Sequence, residues 1–275
     1  MLDIITQGAD VLFQPFYYFG VAVWDFMLAL IGLTAVQTPS SFSSSAWNYV
    51  CNDLYPWTSA IGATLLNISF YIGFIRQADN LKQNVTLEIF VECCIKAVIG
   101  NALMVSGLTL MRSLFWIAGR LAGNILLETP VIFAQEDTDL GSVIFYAFFG
   151  IIFFAACIAC SGIIFLTVYG RFLQLYLLAG TAPLAWGTLP GGPGMAQTAY
   201  AWLRTFLAKA FEIVLIVIAI VITSKMCNSI NFGSMEGVAG VFDGAIQALQ
   251  NICTMVLLTA SVKGMDVFMK RAFAL

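Results

Sequence analysis

The chain has 275 residues, of which 60% are hydrophobic and only 10% charged, with a formal net charge of −3 and no histidine. Its mean hydropathy of +0.91 lies outside the range of water-soluble globular domains. The lack of imidazole excludes a His-Glu-x-x-His metalloprotease and a Ser/His intramembrane protease, and no Gly-Lys-Ser/Thr phosphate loop is present to turn over a nucleotide.

About 20 consecutive apolar residues are needed to carry a helix across the hydrocarbon core, and several runs here reach that length. Their apolar residues are continuous rather than alternating, which selects helices over a barrel. The sequence therefore predicts an all-α polytopic membrane protein, organised as a single membrane domain over residues 1–275.

Residues 1–15 carry Asp3 and Asp10 and no basic residue, so they read as an amphipathic start or a frayed tail rather than a cleaved leader. The first span covers 16–36 and holds Asp25, and the second covers 57–75. Residues 76–96 read as a cytoplasmic amphipathic helix capped by Thr86, with Leu87, Phe90, Val91 and Cys94 in one stripe. The third span, 97–118, holds Arg112. Asp25 and Arg112 are ionisable groups within spans, and the sequence pairs them as an interhelical clamp or places them on a polar pathway, with Arg112 also able to snorkel to the outer surface.

After Gly119-x-x-x-Gly123, a spacing that permits close helix packing as does the Gly237, Gly240, Gly244 series, the fourth span covers 142–169. Its Cys157-x-x-Cys160 reads as two buried small hydrophobes, because a reactive thiolate is disfavoured in an apolar span. Residues 172–194 form an apolar stretch broken by Gly180, Pro183, Pro190, Gly191 and Gly192, too interrupted for a straight helix and expected to be interfacial or re-entrant. The fifth and sixth spans cover 208–224 and 247–267.

Orientation follows Lys and Arg. Arg76, Lys82, Lys96, Arg171, Arg204, Lys209, Lys263, Lys270 and Arg271 mark one side as cytoplasmic, which places both termini there with six spans. Cys51 and Cys227 fall in loops on the opposite side, where a disulfide is a candidate. Arg171, Arg204 and Lys209 suit setting topology better than binding phosphate, since no basic stripe with interleaved aromatics accompanies them.

The most specific stretch is Tyr169 to Ile222. It reads Tyr-Gly-Arg-Phe-Leu-Gln-Leu-Tyr-Leu-Leu-Ala-Gly-Thr-Ala-Pro-Leu-Ala, a Gly/Pro hairpin, and then Ala-Tyr-Ala-Trp-Leu-Arg-Thr-Phe-Leu-Ala-Lys-Ala-Phe-Glu. With Thr86 to Gly123 and the C-terminal Ser-Val-Lys-Gly-Met-Asp, it resembles the TrbL-type conjugal transfer proteins, polytopic inner-membrane subunits of type IV secretion systems. Thr86 to Gly123 and the C-terminal stretch look like the shorter branch of that family, whose larger members carry a long polar C-terminal extension that this sequence lacks.

The resemblance implies a non-enzymatic part of a translocation channel in the bacterial cytoplasmic membrane. It implies no cofactor and no metal, several copies in one platform, and association with secretion ATPases, a bitopic scaffold subunit and a pilus or stalk component. Substrate DNA or protein would pass through or beside it. A stand-alone secondary transporter or small channel is the rival reading, and a membrane scaffold or hole-forming protein is a third.

Overall fold

The computed structural model describes residues 2–79, 87–125, 140–192, 194–229 and 243–273, which are almost entirely helical and contain no strand. The elements are α1 (Leu2–Val36), the short α2 (Pro39–Phe42) and α3 (Ser44–Tyr49), a π-helical turn at Val50–Leu54, then α4 (Tyr55–Asp79) and α5 (Leu87–Ile125). These are followed by α6 (Leu140–Trp186), a 3-10 turn at Leu189–Gly191, α7 (Ala196–Ser229) and α8 (Asp243–Ala272).

Six helical stretches are long and apolar enough to cross a membrane: Phe16–Val36, Ser44–Arg76, Phe90–Ile125, Gly150–Trp186, Ala196–Met226 and Leu249–Ala272. The chain is an all-α, multi-pass membrane protein. Several of its hydroxyls follow the rule for helices in lipid, where polar groups need an internal partner. Thr34, Ser106, Thr167 and Thr259 each donate to the carbonyl four residues earlier, at 2.7 to 2.8 Å.

Two expectations about boundaries change. Residues 87–96 are not a separate surface helix but the opening turns of α5, because nothing between Leu87 and Ile125 interrupts the ladder; Thr86 lies outside the described residues. The fourth span does not end at Tyr169 either. α6 continues through 172–186 as helix, with Pro183 inside it, for 47 residues. That is roughly 70 Å of helix contour against about 30 Å of hydrocarbon.

The chain forms two compact units rather than one. The first comprises Met1–Val36, Leu121–Tyr169 and Ile213–Val267. Its core is built from regular helices: Trp24, Phe153, Ile164, Ile216, Met255 and Leu258 are fully or almost fully buried. Tyr17 packs on Phe153 with ring centroids 4.5 Å apart, and its hydroxyl accepts from Asn251 Nδ2 at 3.3 Å. Cys157 and Cys160 are buried free thiols, and Cys157 Sγ donates to Met255 Sδ at 3.4 Å.

The second unit comprises Gln37–Arg120, Gly170–Glu212 and Phe268–Leu275. An aromatic chain forms its core, running from Trp186 to Trp202 (5.3 Å), Phe206 (5.2 Å), Phe115 (5.5 Å) and Trp47 (6.0 Å). Such edge-to-face and offset contacts add to the area that the rings bury.

Candidate functional site

The second unit holds most of the residues singled out by sequence, and they gather on the hairpin made by the last turns of α6, the 3-10 turn and the first turns of α7. Pro183 has no N–H to give Ala179, and its ring crowds that carbonyl, so the ladder is weakened one turn before the helix stops. The chain then closes in short steps. Gly187 N donates to Pro183 O (3.0 Å), Thr188 N to Ala185 O (3.1 Å) and Gly191 N to Thr188 O (3.2 Å), while Thr188 Oγ1 caps Ala185 O at 2.7 Å. Gly192 sits at φ +81°, a left-handed conformation that only glycine adopts without strain.

Every residue from Ala185 to Gly192 is buried. Irregular backbone at membrane depth is tolerated where protein encloses it or water reaches it, and here protein encloses it. The enclosure is α4. A Cβ on Gly62 would sit 2.5 Å from Pro183 O, and a Cβ on Gly73 would collide with Pro190 O. Thr58 Oγ1 donates to Gly180 O at 2.7 Å, so α4 both makes room for the hairpin and satisfies one of its carbonyls. On α5 a Cβ at Gly107 would strike the Trp186 ring, and Tyr55 Oη donates to Met104 O at 2.7 Å. The π-helical turn at Val50–Leu54 brings Leu54 against Gly180, where a Cβ would again collide.

At the base of the hairpin lies a buried ionic cluster. Arg171 is 3% exposed and Glu212 2% exposed. Arg171 Nε donates to Lys209 O at 3.1 Å and one Nη to Ala210 O at 3.4 Å, so the guanidinium grips the α7 backbone; the other Nη is buried without a partner. Lys209 Nζ pairs with Glu212 Oε2 at 3.1 Å. The cluster carries two cations and one carboxylate, and Glu212 is the counter-charge for both basic groups. Desolvating such groups costs several kcal/mol each unless they are paired and hydrogen-bonded, which makes Glu212 indispensable to the arrangement.

Of the remaining sequence candidates, Arg204 is exposed and outside the cluster. Asp25 and Arg112, expected as a clamp or on a polar pathway, belong to different units, and Arg112 is engaged within its own, lying 5.6 Å from the Trp47 ring centroid and donating to Cys51 Sγ at 3.4 Å. Asp25 is exposed at the middle of the Phe16–Val36 span and has no ion pair among the described residues. The Cys51–Cys227 disulfide is also revised: Cys51 is a free thiol held in the π-helical turn, and the Cys227 side chain lies outside the described residues. Arg171, expected to set topology, is buried.

Sequence reasoning passed over Glu212, whose signal was an acidic residue three positions after Lys209 in an apolar run. It also passed over Gly62 and Gly73, which look like ordinary membrane-helix glycines. Gly123, which it singled out, would place a Cβ in ordinary contact with Val36 at 3.5 Å, so no unusually close approach depends on it. The Gly237 series lies outside the described residues.

A cleft of about 520 Å³ flanks the hairpin, walled by Ile99, Leu103, Trp186, Leu189, Trp202 and Phe206, with the Lys96–Glu92 ion pair (2.6 Å) at its rim. Among the described residues, no group of three or more His, Cys, Asp or Glu side chains is placed to hold a metal. The chain matches no family model, no curated protein and no solved structure.

Proposed function

We propose that this chain is a non-enzymatic subunit of a membrane translocation platform of the type IV secretion kind, working in several copies in a bacterial cytoplasmic membrane beside secretion ATPases, a bitopic scaffold and a stalk or pilus component. The observation that carries the reading is the folding of the stretch whose sequence resembles TrbL-type proteins. Much of Tyr169 to Ile222 forms a hairpin with a wholly buried irregular tip and a buried ionic cluster at its base. Such a hairpin provides a rigid, polar-cored element among lipid-facing helices, as a channel wall or platform needs.

Asp25 supports assembly with other chains. A carboxylate exposed at mid-span costs roughly 2.5–3.5 kcal/mol on insertion scales unless protein or water covers it. Covering by a neighbouring subunit removes that cost. Asp25→Asn is expected to shift the oligomer seen by native gel toward smaller species without lowering membrane insertion.

The reading is tested by gentle detergent purification of the tagged protein from its native host, followed by mass spectrometry of what copurifies. Recovery of a secretion ATPase and a bitopic scaffold is the expected result. A partnerless oligomer that moves solutes across liposomes would instead make it a transporter.

A further inference from the structure

The chain leaves its first span at Val36 and enters the next at Ser44, and the hydroxyl-rich turn between them faces a second cavity within the second unit. This cavity, of about 550 Å³, is lined by Thr38, Ser40, Arg112, Ser113, Trp116 and Ile117 among others. Among the described residues its lining contains one cation and no carboxylate. Arg112 is exposed there, its guanidinium oriented by the Trp47 face at 5.6 Å and by a single hydrogen bond to Cys51 Sγ. A guanidinium has five N–H donors, and a thiol sulfur is a weak acceptor, so most of the donor capacity remains for a ligand.

The hydroxyls of Thr38 and Ser40 hydrogen-bond one another at 3.0 Å, which leaves one O–H of the pair to donate beside the cation, while Trp116 (57% exposed) and Ile117 (42%) supply an apolar wall. An arginine with adjacent hydroxyls suits a phosphate diester. The apolar wall, where a span ends, suits the acyl chains attached to it, and exposed tryptophan is at home at headgroup level.

We propose that this cavity is a binding site for one anionic phospholipid, with Arg112 and one O–H of the Thr38–Ser40 pair on the phosphate and the acyl chains along Trp116 and Ile117. Net charge alone favours an anionic over a zwitterionic headgroup, since the described lining offers no carboxylate to a choline or ethanolamine group. The π-helical turn that carries Cys51 acquires a role as well, because it holds the thiol where it orients Arg112.

The test is native mass spectrometry of the full chain released from nanodiscs of phosphatidylglycerol or of phosphatidylcholine, counting lipids retained per chain. The wild type is expected to keep one phosphatidylglycerol and no phosphatidylcholine under matched activation. Arg112→Gln is expected to lower that retention about tenfold, the value of one charge-assisted contact, with Arg112→Lys intermediate and Arg204→Gln, an exposed charge elsewhere, unchanged. If Arg112→Gln does not fold, Ser40→Ala with Thr38→Val carries the same expectation at smaller size. Equal retention of both lipids by the wild type, or unchanged retention in the Arg112→Gln or hydroxyl variants, overturns the proposal. Displacement of the lipid by millimolar inorganic phosphate would also overturn it, reassigning the cavity to a soluble anion.

Discussion

The two units solve the problem of living in lipid differently. The first packs regular helices through aliphatic, aromatic and sulfur side chains, with Trp24, Phe153, Ile216, Met255 and Leu258 at its centre, and its buried polar groups, among the described residues, are neutral: Thr34, Ser161, Thr254 and Thr259 donate to carbonyls of their own helices and Asn251 donates to Tyr17. The second buries a proline-containing helix end, a 3-10 turn and two charged side chains, Arg171 and Glu212, with Lys209 half-buried beside them, and holds them with glycine seats on α4 and carbonyl-directed hydroxyls. A stable bundle needs only what the first unit has. The extra cost carried by the second is the physical ground for placing function there.

If that contrast is right, the largest single loss should come from the ionic cluster. Glu212→Gln leaves the buried Arg171 and the half-buried Lys209 without this carboxylate, a change expected to cost about 3–5 kcal/mol, read as loss of folded monomer by fluorescence-detected size exclusion after mild heating. Glu212→Asp should recover part of it.

The glycine seats come next. Gly73→Ala must push Pro190 aside, and Gly62→Ala must push Pro183; each is expected to cost about 1–3 kcal/mol, measured as a lowered Tm in detergent. Gly162→Ala in the first unit, with nothing within 4 Å of the new Cβ, should leave Tm unchanged or raise it slightly. Equal effects at Gly73 and Gly162 would erase the contrast between the units.

Smaller effects sharpen the same comparison. Met255→Leu, a volume-conserving change in the regular core of the first unit, should cost less than about 1.5 kcal/mol. Cys51→Ser should not alter migration on non-reducing gels, since the thiol is free.

The regular part of this fold was legible because hydrophobic run length is a one-dimensional property. The spans at 16–36 and 247–267 differ from the structural stretches Phe16–Val36 and Leu249–Ala272 mainly at their ends. The continuation of α6 past Tyr169 was not legible, because Gly180 and Pro183 are helix breakers in isolation and are accommodated only by Thr58 and Gly62 on a helix more than 100 positions earlier. The site was half legible for the same reason. Arg171, Pro183 and Lys209 stand out as charges and breaks in an apolar run, whereas Glu212 as their partner and Gly73 as a seat acquire meaning only from packing. Asp25 and Arg112 illustrate the converse: two ionisable residues in spans invite a pairing, and the fold gives Arg112 a tryptophan and a thiol instead.

The most direct test of the central claim, that the seated hairpin of the second unit serves translocation, is substrate transfer in the native host lacking its own copy. The host would be complemented with Gly73→Ala, Gly162→Ala or the unaltered chain at matched membrane abundance. The account predicts that transfer falls at least about tenfold with Gly73→Ala, the effect of roughly 1.4 kcal/mol on a working equilibrium, and stays at the unaltered level with Gly162→Ala. Undiminished transfer with Gly73→Ala would contradict it.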